Sequence, residues 1–191
     1  MTRRWAWALP VAALAALSAR GGAAGGEFVS VSAAAFQTPA ALAPGAIVAG
    51  FGSDLAPAVE AAPATGPLPV SLARTSVMLR DSHGAEWAAP LWFVSPTQIN
   101  YLIPEQAALG RATVTVVRDS VAVAVGTAEI ERVAPGLFTM NSDGKGVPAG
   151  WAVVAGGGVA TRRRLFNAGC AAGACYPVPL GPEAAAGEVV L

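Results

Sequence analysis

Ionisable chemistry is what this chain has least of. Only 13% of its 191 residues are charged, and it holds one histidine, His83, and two cysteines, Cys170 and Cys175. Its one lysine is Lys145. A zinc site needs three or four Cys, His or carboxylate ligands converging, and one histidine far from both cysteines does not supply them. A hydrolytic triad needs a histidine beside a nucleophile, and none is placed near His83. No G-x-S-x-G elbow is present. Gly144, Gly146 and Gly150 have the wrong spacing for a dinucleotide loop, and no helix follows. Glu129 and Glu131 share a strand face and read as solvated. No catalytic, cofactor-binding or metal residue is assigned, and the chain is not expected to be an enzyme.

Long apolar runs are missing too. Trp5 to Leu17 is apolar over about 13 residues, against the roughly 20 that a membrane-spanning helix needs. Arg3 and Arg4 precede it, and small residues follow from Ser18 to Gly26. That order is a secretory signal peptide, residues 1–24, with cleavage after Ser18 or after Ala24. An uncleaved N-terminal anchor is the alternative. No transmembrane span is expected.

The full chain carries 12 basic and 12 acidic residues, so loss of Arg3 and Arg4 leaves net −2. Loss of Arg20 as well leaves −3. A weakly acidic protein offers no electrostatic footprint for nucleic acid. The expected location is secreted or cell-surface.

What remains is apolar and strand-like. A hydrophobic content of 54% excludes a disordered chain. Helical periodicity is scarce. Glu27 to Ser32, Ala46 to Phe51, Thr75 to Arg80, Arg111 to Arg118 and Val121 to Ile130 read as short strands, most of them alternating. Leu91 to Pro104 reads as two apolar, aromatic-rich strands joined at Ser95-Pro96. Asp81 to Gly84 is a turn, Arg118 to Ser120 joins a hairpin, and Leu55 to Pro69 is a surface connection. Short strands with regular Gly, Pro, Asp and Ser punctuation imply a sandwich or barrel. Ala134-Pro135-Gly136 marks a domain boundary.

Ala43 to Val48 and Ala185 to Leu191 share a Gly-to-apolar strand start. Read as equivalent, they imply a second sandwich truncated at Leu191; coincidence is the alternative. Cys170 and Cys175 in an exported protein point to one local disulfide, with two free thiols as the alternative.

Several blocks together resemble a known family. They are Val31 to Phe36, Ala43 to Val48, Gly50 to Ala56, Val94 to Asn100, and Ala134 to Thr139 with Asp143 to Gly146. In this order they are similar to an uncharacterised C-terminal domain family of Solibacter-type acidobacterial secreted proteins. The resemblance implies an immunoglobulin-like fold and no activity. The expected architecture is therefore all-β: an immunoglobulin-like β-sandwich over residues 27–133, followed by a partial second β domain over 134–191.

Candidate ligand-facing residues are Trp92, Gln98, Asn100 and Tyr101. Gln98 and Asn100 share one strand face; Ile99, Tyr101 and Ile103 share the other. The amides serve either a ligand or the backbone groups around Pro96. Trp92 and Phe93 are neighbours on one strand, so at least one is expected in the core. Asn141 to Gly146 is a turn rather than a calcium loop, since no bidentate acid follows. Arg162 to Arg164 reads as a solvated edge, with an anionic partner as the alternative. Three functions fit: an exported, non-catalytic interaction or structural module with a surface protein or polysaccharide as partner, a carbohydrate-binding module, or an accessory fragment of an exported hydrolase.

Overall fold

The computed structural model describes residues 26–36, 41–141, 144–145, 147–156, 159–164, 166–171, 174–179 and 188–190. All regular structure among them is β, with no helix. The expected signal peptide lies outside the described residues.

The strands run in chain order as β1 (Gly26–Glu27), β2 (Val29–Ser32), β3 (Ala41–Leu42), β4 (Ile47–Phe51), β5 (Glu60–Ala61), β6 (Thr75–Arg80), β7 (Glu86–Ala88) and β8 (Leu91–Val94). They continue as β9 (Gln98–Leu102), β10 (Gly110–Arg118) and β11 (Val121–Ile130). β12 (Trp151–Gly156), β13 (Val159–Arg164), β14 (Phe166–Ala171), β15 (Ala174–Pro179) and β16 (Glu188–Val190) follow.

Two large sheets hold the first eleven strands. One has the order β1-β11-β10-β6-β7, with β3 also pairing β11; the other has the order β2-β4-β9-β8-β5. The chain changes sheets at Phe28. β1 lies parallel to β11, the Phe28 amide donates to the Val125 carbonyl at 3.1 Å, and β2 then runs antiparallel to β4. Two glycines make room for this crossing. A Cβ on Gly50 would stand 2.1 Å from the Phe28 ring, and one on Gly126 would stand 1.8 Å from the Phe28 carbonyl oxygen.

Alternation decides which residues meet between the sheets. Val77, Leu79, Val114 and Val116 come inward from the first sheet, and Val48, Leu91, Val94, Ile99 and Tyr101 from the second, into one buried cluster. Each fully buried aliphatic side chain contributes roughly 1.5–3 kcal/mol. Arg118-Asp119-Ser120-Val121 is a two-residue hairpin turn in which Asp119 and Ser120 both take positive φ, matching the twist of β10 and β11.

Beyond Val133 the chain turns back on the first sheets. A Cβ on Gly136 would lie 3.1 Å from the Ser32 hydroxyl oxygen, and one on Gly144 would meet the Ala35 carbonyl oxygen at 1.9 Å. Gly144 also has a positive φ, so a larger residue there is excluded by both space and backbone. β13-β12-β16 form a three-stranded sheet and β14-β15 a hairpin. The arginine run ends β13, opposite Trp151, Ala152 and Val153 of β12. Ser142, Asp143 and Gly146 of the calcium-like stretch lie outside the described residues, as does the segment 185–187 of the expected internal repeat.

The hairpin register sets Cys170 directly opposite Cys175. Directly opposed residues in antiparallel strands stand about 4.5–5.5 Å apart at Cα, inside the span a disulfide bridges. The expected bond itself falls on side chains outside those described.

Candidate functional site

The strand pair β8–β9 has two different faces. Leu91 lies opposite Tyr101, Phe93 opposite Asn100 and Val94 opposite Ile99, so Trp92 is an extra residue with no partner on β9. This is a β-bulge, which shifts the parity of alternation by one. Leu91 and Val94 can therefore both enter the core although three residues apart in sequence. Trp92 is left outside, 46% exposed, and Phe93 half-buried. Strict alternation predicts one of Trp92 and Phe93 in the core. The bulge removes that constraint, and neither belongs to the fully buried set. The bulge is held in place from the far side, where the Ala62 amide donates to the Trp92 carbonyl at 2.9 Å.

β9 keeps regular alternation. Ile99 and Tyr101 are fully buried, while Gln98 and Asn100 are half-buried on the outer face. Tyr101 is thus corrected from ligand-facing to core. Its hydroxyl shares a hydrogen bond of 2.8 Å with the Ser30 hydroxyl, and its ring sits 6.3 Å from that of Phe28. Burial pushes its phenol pKa up. The period-two pattern of β9 already separates it from the two amides.

The Pro96 turn does not use those amides. The Ser95 hydroxyl accepts from the backbone amide of Gln98 at 2.9 Å and from that of Thr97 at 3.3 Å. The Pro96 carbonyl accepts from the Leu55 amide and the Thr97 carbonyl from the Gly52 amide. The Gln98 side chain instead donates from Nε2 to Asn100 Oδ1 at 2.9 Å. The two amides orient one another through a bond that uses neither Gln98 Oε1 nor the Asn100 NH2 group.

These residues border a groove of about 430 Å³ on the outer side of the second sheet, within the roughly 300–1,000 Å³ typical of small-molecule sites. Ile47, Ala49 and Asn100 contribute to its floor; Trp92, Phe36 and Phe138 are its exposed rings. Phe36 takes φ 50°, an uncommon conformation for a bulky residue. Phe138 comes from beyond Ala134, so the segment after the expected domain boundary completes the groove. Among the described residues bordering it, none is ionisable.

A second cleft, about 580 Å³, lies where the chain crosses between sheets, beside Phe28, Gly126, Arg111 and Glu129. It is the seam left by the gap between β1 and β3 along β11.

The most connected carboxylate sits elsewhere. Asp81, nearly buried, accepts from the His83 and Ala85 amides through Oδ1, both at 3.0 Å, and through Oδ2 from Trp87 Nε1 at 3.0 Å and the Ala108 amide at 3.1 Å. The hydrogen bond from Trp87, with those from the backbone amides, holds its pKa down at about 2. Asp81 fastens the β6–β7 turn to the loop before β10. The sequence marked this stretch only as a turn, because the Trp87 and Ala108 partners are set by tertiary placement. Arg118 forms a bidentate pair with exposed Asp54 at 2.8 and 3.1 Å, lowering the Asp54 pKa.

Among the described residues no three His, Cys, Asp or Glu side chains gather to hold a metal ion, and no helix is long and apolar enough to cross a membrane. No protein-family model matches the chain, and no curated protein matches it.

Proposed function

We propose that this chain is an exported, non-catalytic β-sandwich module of immunoglobulin-like type that acts by docking a ligand or partner on the outer face of β8, β9 and β4. The strand order supports the fold. β2-β4-β9-β8 stands in the order A-B-E-D, and β11-β10-β6-β7 in the order G-F-C-C′, of an immunoglobulin-like sandwich. The Val94 to Asn100 block that resembles the acidobacterial secreted family spans the turn from the D to the E position of that scheme.

The observation that carries the binding role is Trp92, turned out of the core by a bulge beside a preorganised pair of amides. Bulges recur next to sites where a side chain must be re-aimed. Exposed aromatics are the residues that most often dominate binding energy.

Export is tested by N-terminal sequencing of the secreted protein, which begins after residue 18 or 24 if the signal is cleaved. Intact mass of the same sample, two hydrogens lighter than the dithiol, reports the Cys170–Cys175 bond. Docking is tested by retention of the exported chain on cell-envelope preparations. Trp92→Ala lowers retention, while Val121→Ala, at the exposed hairpin on the other sheet, leaves it intact. Equal retention of both variants overturns the docking role.

A further inference from the structure

We infer that the groove beside Trp92 is a binding site for a neutral saccharide. This rests on the docking role proposed above and names its ligand class.

The groove's charge comes first. None of its described bordering residues is ionisable, so none of them forms an ion pair with a phosphate, carboxylate or ammonium group. The ligand it fits is uncharged. The floor comes second. β4 is paired on both sides, by β2 and β9, and β9 on both sides, by β4 and β8. Their backbone groups are already spent, so an extended peptide cannot add as a further strand over this floor. Recognition falls to side chains.

Those side chains are of two kinds. Trp92, Phe36 and Phe138 present aromatic surface to solvent at 46%, 39% and 53% exposure. An aromatic face packs against the flat C–H face of a pyranose ring. On the same groove the Gln98–Asn100 pair offers one acceptor, Gln98 Oε1, and one donor group, Asn100 Nδ2. A vicinal diol both donates and accepts, and two fixed, adjacent amide groups match it. A purely apolar ligand would leave both amides desolvated without partners, which costs affinity. A ring with one C–H face and an equatorial rim of hydroxyls satisfies both halves of the site.

The test is affinity electrophoresis of the full exported chain in gels holding neutral β-glucan, xylan or mannan, with polygalacturonate as the acidic control, followed by titration with oligosaccharides of whichever polymer retards it. The expected result is retardation by at least one neutral polymer and none by the acidic one. Trp92→Ala weakens affinity about tenfold or more, as loss of an aromatic hot spot does. Asn100→Ala weakens it about fivefold, the size of one hydrogen bond. Unchanged thermal unfolding shows that both variants are folded. If the wild type ignores every neutral polymer yet its envelope retention still depends on Trp92, the saccharide inference is wrong and the docking role stands. If polymer binding is unaffected by Trp92→Ala, the groove is not the saccharide site. If neither envelope nor polymer binding responds to Trp92, both proposals fail.

Discussion

The inner and outer faces of strands β8 and β9 come from two short neighbouring strands and have opposite characters. Inward, Leu91, Val94, Ile99 and Tyr101 are removed from solvent altogether, and the only polar atom, the Tyr101 hydroxyl, is matched to Ser30. Outward, Trp92 stays open and Gln98 and Asn100 pair with each other. A face needed only for stability tends to bury its large rings, because each contributes most when covered. The inner face obeys that rule. The outer face departs from it at Trp92, and a backbone irregularity holds the departure in place.

The contrast is sharpest in stability. Tyr101→Ala empties the inner face and is expected to remove about 3–5 kcal/mol, as for other buried aromatics. Urea unfolding measures it, and a loss under about 1 kcal/mol breaks the account of the inner face. Gly126→Ala comes next. Its new methyl would stand 1.8 Å from the Phe28 carbonyl oxygen, so β2 must shift away from β11. The overpacking is expected to cost about 1–3 kcal/mol. An unchanged midpoint would mean the seam is looser than described.

Acid offers a third lever that the groove does not share. Asp81 has its pKa lowered from 3.8 to about 2 in the fold. A depressed carboxylate stabilises the fold above the unfolded pKa, and that contribution is lost as pH falls from 3.8 through about 2. In melting curves recorded at successive pH values, wild type should exceed Asp81→Asn at neutral pH and converge on it toward pH 2. A gap that stays constant across that window would remove Asp81 from the stability account. The smallest effect belongs to the outer face. Trp92→Ala is expected to change stability by no more than about 0.5 kcal/mol. A loss above roughly 2 kcal/mol would make Trp92 a core residue and erase the distinction between the faces.

Much of this frame was legible in the sequence. The alternation of Val114 and Val116 against Thr113 and Thr115, and of Ile99 and Tyr101 against Gln98 and Asn100, is a local property that period two exposes. The Ser95-Pro96 junction and the Asp119-Ser120 turn carry their own chemistry. What escaped was tertiary. The bulge at Trp92 is invisible to periodicity, because one extra residue reverses the parity that periodicity relies on. The short strand β5 lay hidden in a stretch read as connection, since two residues give no pattern. Phe36 and Phe138, far apart in sequence, border one groove only because the chain beyond Val133 folds back on Ser32 and Ala34.

The most direct test of the two faces is hydroxyl-radical footprinting of the folded protein, read residue by residue by mass spectrometry. Trp92 should be modified rapidly and half-buried Trp87 more slowly, with Tyr101 protected until the protein unfolds. Trp92 modified as slowly as Tyr101 would contradict it.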